Sequence, residues 1–142
     1  MKIMVSACLL GENCKYSGGN NRDERVLAFL KGHEVIPVCP EVMGGLPTPR
    51  QPAEIVHGEV INREGVSVDD EYRLGAKVAL DIAMREKIDL AILQSRSPSC
   101  GVKQIYDGTF SRRKIDGQGL LARALKERGI SLMDAEDVPE GQ

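Results

Sequence analysis

Residues Leu90–Gly101, which read LAILQSRSPSCG, decide the fold of this chain. Their first four residues, Leu90–Leu93, form the short continuous apolar run that is typical of a strand buried on both faces. The residues that follow, Ser95–Gly101, offer three hydroxyls and one thiol. Open α/β sheets place their ligands at the carboxyl ends of parallel strands. The stretch therefore predicts a parallel α/β sheet with a site at this edge.

Two other apolar runs also end in a cysteine. The run Met4–Ala7 leads to Cys8, and the run Val35–Val38 leads to Cys39, as the strand above leads to Cys100. Three predicted strands are thus each followed directly by a cysteine. Thiols from such distant segments can come together only in the folded chain.

The remaining patterns predict a small sheet between layers of helices, connected by right-handed crossovers. We expect strands at 2–8, 33–38, 88–93 and 130–133, helices at about 23–31, 69–87 and 117–128, and a hairpin from 54–61 and 66–68. Pro37 has no N–H to donate, which favours an edge position for the second strand. In the long helix, Leu74, Val78 and Ile82 form an apolar stripe that should face the core.

The fold class is therefore α/β: a single Rossmann-like three-layer domain with a small, mainly parallel sheet and a short β-hairpin insertion. At 142 residues the chain is most simply one domain, residues 1–142, with one core. Its acidic tail, residues 134–142, is expected to be frayed.

The charge balance excludes several classes of partner. With a formal net charge of −2, the chain lacks the excess of basic residues that binds duplex nucleic acid or an anionic membrane. Apolar runs are too short to span a bilayer, and the first strand begins too early for a signal peptide. We therefore expect a cytoplasmic protein that acts on a small molecule, in a compartment where thiols stay reduced.

Four cysteines could form two disulfides, but that usage is typical of small secreted domains. The spacing of the cysteines does not match the paired motifs of zinc knuckles. Reduced thiolates suit zinc, copper(I) or an iron–sulfur cluster. Three thiolates would leave one iron of a 4Fe-4S cluster without a protein ligand, where a substrate atom could bind. Cys14 could instead be the fourth ligand and close the cluster, which would favour a structural or electron-transfer role.

Polar residues near the cysteines supply candidates for the remaining chemistry. Glu41 could act as a general acid or base, or it could be an ordinary loop carboxylate. Ser97 and Ser99 could orient a substrate, although serines are also common turn residues beside proline. Arg50 and Arg96 could bind a polar substrate edge or take part in surface ion pairs. The proline-rich stretch from 39 to 54 is long enough to predict a pocket wall.

Three motifs resemble those of the 2-thiouracil desulfurase family, and the resemblance covers essentially the whole chain. They are VSACLLG at Val5–Gly11, PVCPE at Pro37–Glu41 with GGLPTPR and PAE downstream, and SRSPSCG at Ser95–Gly101. The resemblance implies a 4Fe-4S cluster whose free iron binds the sulfur of a thiolated base or nucleoside. It also implies that water replaces this sulfur, giving uracil and hydrosulfide from 2-thiouracil without net redox change.

The resemblance also implies roles for particular residues. Cys8, Cys39 and Cys100 are the implied cluster ligands, Glu41 is the implied catalytic carboxylate, and Ser97 or Ser99 is expected to assist. The sequence departs from the family at Tyr16–Gly18, where Ser17 replaces a frequent aspartate, and Cys14 is not a required ligand. Two alternatives stay open: a non-catalytic metal or iron–sulfur protein with Cys14 as fourth ligand, and a small-molecule binding module.

Overall fold

The computed structural model describes residues 1–140, which contain eight strands and four helices. The strands are β1 (Lys2–Ser6), β2 (Glu34–Val38), β3 (Ala53–Val56), β4 (Glu59–Asn62), β5 (Leu90–Leu93), β6 (Gln104–Tyr106), β7 (Lys114–Asp116) and β8 (Ser131–Asp134). The helices are α1 (Glu24–Leu30), α2 (Pro40–Met43), α3 (Asp69–Glu86) and α4 (Leu120–Glu127). Two short 3₁₀ turns cover Ala7–Leu10 and Ala135–Asp137.

The central sheet is parallel throughout, with the strand order β2-β1-β5-β8. Its register places Val5 between Pro37 of β2 and Ile92 of β5. Because β2 lies at the edge, Pro37 has a neighbouring strand on one side only, and its missing N–H is tolerated. The predicted parallel α/β fold is confirmed.

Each face of the sheet is covered, because side chains alternate along the buried strands. On one face, Ile3 and Val5 of β1 pack with Val26 and Leu30 of α1. On the other face, Met4 of β1 packs against α3 and α4. The sheet is therefore the middle layer of three, with helices on both sides, and the cysteines follow the carboxyl ends of its strands.

The face that α3 turns toward the sheet differs from the prediction. Leu74 is 52% exposed, and Val78 and Ile82 are only half-buried. The fully packed side is formed instead by smaller residues, Ala76, Ala79 and Ala83. This face of α3 carries small side chains because the helix lies close to its neighbours, where a leucine would not fit.

Two glycines bring α2 and α3 into backbone contact. A Cβ on Gly75 would overlap the carbonyl oxygen of Pro40, and a Cβ on Gly44 would overlap the carbonyl oxygen of Glu71. No rotation of a side chain could relieve an overlap with the main chain. The contact therefore determines where α2 begins, immediately after Cys39.

The structure contains two antiparallel hairpins, β3–β4 and β6–β7, and both differ from the sequence-based prediction. The predicted strand 54–61 is broken by a turn at His57 and Gly58, whose φ angles of 49° and 81° suit a tight hairpin. The predicted partner, 66–68, returns beside β4 through a bridge between Ile61 and Ser67. Residues 104–116 form a second hairpin, β6–β7, where the sequence pattern predicts no strands.

The tail is packed rather than frayed over 134–138. Asp134 closes β8 and is only 2% exposed, and Val138 is equally buried against the core face that carries α1. The apolar Ala135 and Val138 explain the difference, because they offset the cost of ordering an acidic segment. The expectation for Gly141 and Gln142 lies outside the described residues. Within residues 1–140, no helix is long and apolar enough to cross a membrane.

Candidate functional site

A cavity of about 380 Å³ lies at the carboxyl edge of the parallel sheet, and all four cysteines line it. Cys8 lies in the 3₁₀ turn after β1, Cys39 caps the start of α2 after β2, and Cys100 lies in the loop after β5. All four cysteines are free thiols. The three strand ends thus bring three thiols from distant sequence positions to one cavity, with Cys14 beside them.

Burial has the largest effect on the pKa of the three strand-end thiols. It raises the pKa of Cys8, of Cys39 and, most strongly, of Cys100. The Glu41 carboxylate raises each pKa further, and Cys8 and Cys39 add to the effect on Cys100. Hydrogen bonds or charge from Asn21, Arg50 and Ser6 oppose the shift. The site therefore disfavours three bare thiolates and suits a cationic group that would neutralise them.

The donor set fits a cluster better than a single metal ion. Among residues 1–140, no three His, Cys, Asp or Glu side chains gather closely enough to hold one ion. A multi-iron cluster binds each thiolate to a different iron, so its ligands stand farther apart than those of one ion. Three soft thiols around a cavity with room for a cofactor meet that requirement.

Glu41 and Ser97 form a polar pair inside the cavity. Glu41 lies in the first turn of α2, is 8% exposed, and has its Oε2 3.7 Å from the Cys39 Sγ. Ser97 Oγ donates to Glu41 Oε1 at 3.3 Å and accepts the N–H groups of Ser99 and Cys100, each at 3.0 Å. One hydroxyl therefore connects the carboxylate to the loop that carries the third thiol.

The structure separates the two candidate serines. Ser97 lines the cavity, whereas Ser99 is fully buried and lies outside the cavity lining. Within residues 1–140, the Ser99 Oγ has no hydrogen-bond partner. Its carbonyl oxygen accepts the N–H groups of Leu121 and Ala122 at the start of α4. Ser99 therefore connects the cysteine loop to that helix.

The two candidate arginines both line the cavity but differ in their partners. Arg50 donates to the Cys14 carbonyl at 3.0 Å, and its buried Nε has no partner among residues 1–140. Arg96, whose φ is 64°, forms an ion pair with Glu136 at 3.0 Å. The charge of Arg96 is thus largely directed to the tail, and Arg50 is the arginine that borders the thiols.

This combination of fold and cavity can be compared with known proteins. A family model described as 2-thiouracil desulfurase matches residues 3–137. The chain belongs to the 2-thiouracil desulfurase family. Its resemblance to this family, first indicated by the three cysteine motifs, is confirmed.

The chain is also similar to two further proteins. The chain is 35% identical over 146 residues to the uncharacterized protein YbbK of Bacillus subtilis (strain 168), covering 96% of this chain and 97% of that protein. A solved structure of the [4Fe-4S]-dependent thiouracil desulfidase TudS matches with a TM-score of 0.89 and 37% identity. That match covers 97% of this chain and 93% of the other. The α/β architecture is therefore one that a solved desulfidase shares.

Several cavity residues of this desulfurase-family chain were not singled out by the sequence. Glu54, Tyr72 and Phe110 line the cavity, together with Lys15, Asn21, Arg63 and Tyr106. Burial raises the pKa of Tyr72 well above its ordinary value, and the Glu41 carboxylate adds to this effect. Glu54 carried a signal, since it stands in the PAE motif. Phe110 carried none, because its position depends on a hairpin that the sequence pattern did not predict.

Proposed function

We propose that this protein removes sulfur from a thiolated pyrimidine base such as 2-thiouracil, in a reaction that depends on a 4Fe-4S cluster and involves no net redox change. The observation that carries the proposal is the presence of three strand-end thiols and the Glu41–Ser97 pair on one cavity. Membership in the 2-thiouracil desulfurase family and similarity to TudS support the same conclusion.

Cys8, Cys39 and Cys100 are the residues that would hold the cluster. Their burial makes them poor thiolates on their own, so a cationic cofactor is what would stabilise their deprotonated form. A 4Fe-4S cluster bound by three thiolates supplies one iron without a protein ligand, which is a Lewis acid for a thiocarbonyl sulfur.

Glu41 is the residue proposed to move protons. In its ionised form it takes a proton from the water that attacks the ring carbon bearing sulfur. The hydroxyl of Ser97, which donates to Glu41 at 3.3 Å, fixes the orientation of the carboxylate. The water oxygen bonds to the ring carbon and the carbon–sulfur bond breaks. Of the two water protons, one leaves on hydrosulfide and Glu41 releases the other to solvent, so the products are a carbonyl and hydrosulfide. The oxidation state of the ring carbon does not change, so no electron donor is required.

Sulfide release from 2-thiouracil by anaerobically reconstituted protein tests this proposal. Uracil and sulfide should form in equal amounts without added reductant. Glu41→Gln should suppress both products while retaining the iron, because the amide keeps the shape but cannot accept the proton. Glu59→Gln is the matched control, since Glu59 lies outside the cavity lining and accepts from Ser67. Full activity in Glu41→Gln would contradict the acid–base role.

A non-catalytic cluster closed by Cys14 is the second candidate. It is favoured by one observation, because Cys14 lines the same cavity and its carbonyl oxygen accepts from the Cys39 thiol at 3.7 Å. Replacement of Cys14 by serine distinguishes the two functions. A closed four-thiolate site should lose its iron, whereas the proposed three-thiolate site should keep both its iron and its activity. Protein purified without oxygen that contains no iron would favour a small-molecule binding module.

A further inference from the structure

The loop formed by residues 107–113, between β6 and β7, carries part of the cavity wall. Its base is closed by a hydrogen bond from the Asp107 N–H to the Arg113 carbonyl at 2.9 Å. Phe110 and Arg112 of this loop line the cavity, and both have left-handed φ angles, of 58° and 65°. Non-glycine residues rarely adopt this conformation, so the surrounding structure must hold the loop in place.

Glu54 of β3 is the side chain that holds it. Its Oε1 accepts the N–H of Gly108 at 2.9 Å and the N–H of Phe110 at 3.1 Å. Glu54 is 8% exposed, and within residues 1–140 it forms no ion pair. Hydrogen bonds to an ionised acceptor are among the stronger ones. The buried carboxylate therefore binds two main-chain amides of the loop.

Backbone contact reinforces this arrangement. The φ of Gly108 is 93°, and a Cβ at this position would stand 2.7 Å from the carbonyl oxygen of Ile55. The loop thus lies directly against β3, the strand that carries Glu54. The strand thus holds the loop at two places, through the close approach at Gly108 and through the Glu54 carboxylate, which bonds to the Phe110 amide.

We propose that Glu54 is a positioning residue that holds Phe110 as the wall against which the flat pyrimidine ring of the substrate stacks. An aromatic side chain offers a planar ring a favourable offset or edge-to-face contact. Glu54 does not touch the substrate in this account; it acts through the loop. The stacking of the substrate ring on Phe110 rests on the proposed function, whereas the effect of Glu54 on the loop can be measured without substrate.

Amide hydrogen exchange on the full chain tests that coupling. Glu54→Ala should accelerate exchange at Gly108 and Phe110 by about 10- to 100-fold, the range for loss of a hydrogen bond to a charged group. Glu54→Gln should exchange at an intermediate rate, slower than Glu54→Ala, because its amide oxygen can accept both bonds but carries no charge. Glu59→Ala, on the same hairpin but bonded to Ser67, is the matched control. Unchanged protection in Glu54→Ala would overturn the positioning role.

Kinetics with 2-thiouracil test the stacking half. Glu54→Ala should raise KM by no more than loss of the Phe110 ring does, about 2- to 10-fold, with kcat nearly unchanged, and Glu54→Gln should bring KM back toward the wild-type value. Phe110→Leu should raise KM by about 2- to 10-fold, in proportion to a lost aromatic contact. Because Glu54 acts through Phe110, adding Glu54→Ala to Phe110→Leu should change KM little further. Independent, multiplicative effects on KM would overturn the inference.

The experiments separate the proposed desulfurase function from the positioning role of Glu54. A wild-type protein that releases no sulfide from 2-thiouracil overturns the proposed function and the stacking half together, while fast exchange in Glu54→Ala still supports the coupling. A wild-type protein that releases sulfide, combined with a Glu54→Ala variant of unchanged KM, overturns the inference and leaves the proposed function intact.

Discussion

Gly75→Ala sets two physical effects against each other, and the structure decides which is larger. Alanine in place of glycine inside a helix stabilises it by about 1 kcal/mol. The added Cβ would, however, overlap the carbonyl oxygen of Pro40 at the start of α2. Overpacking in a well-packed site costs about 1–3 kcal/mol, and a clash with the main chain belongs at the upper end of that range. The net change should be a loss of about 1–2 kcal/mol.

Thermal and urea unfolding measure this change. For a chain of this size, 1 kcal/mol corresponds to roughly 2–4 °C, so Gly75→Ala should lower the Tm by about 2–8 °C. Leu74→Ala, one residue away and 52% exposed, is the control and should change stability by less than about 0.5 kcal/mol. A rise in Tm for Gly75→Ala would refute the close approach of α2 and α3. Displacement of α2 should also reduce iron binding, because the proposed ligand Cys39 lies at its start.

Three further predictions concern the site and the fold. Ser97→Ala should lower kcat/KM by about 10- to 100-fold with iron retained, because the carboxylate loses its hydroxyl donor. Arg96→Gln should leave kcat within about threefold of wild type, since its partner Glu136 is a partly exposed surface group. Burial acts to raise the pKa of Asp69, but hydrogen bonds from Arg73 and a main-chain N–H outweigh it and hold the pKa below its ordinary value. The stability that Asp69 contributes is therefore present above pH 3.8 and lost as the pH falls through the folded pKa. In acid titrations followed by circular dichroism, Asp69→Asn should flatten this decline.

The cysteine-bearing edge was predictable because its physical signals are local. A continuous apolar run such as Leu90–Leu93 has few alternatives to a buried strand, and parallel strands present their carboxyl ends together. A polar residue directly after such a run must lie at that edge. The shared cavity of Cys8, Cys39 and Cys100 follows from the same rule.

The features that the sequence did not reveal depend on contacts between distant segments. Helical periodicity identified Leu74 as core, but the approach of α2 selects small residues on that face. Ser97 and Ser99 are equivalent in spacing, and only the turn around Pro98 sends one hydroxyl to the cavity and buries the other. The loop that carries Phe110 depends on Glu54, a partner more than fifty residues away.

The chemistry proposed for this cavity requires that the thiols of Cys8, Cys39 and Cys100 together hold one cluster beside Glu41. The most direct measurement is the iron and acid-labile sulfide content of anaerobically prepared protein, compared with single cysteine-to-serine variants. We expect roughly four of each per chain, lost when Cys8, Cys39 or Cys100 is replaced and retained when Cys14 is replaced. A single bound zinc, or full iron content after replacement of any of the three thiols, would contradict it.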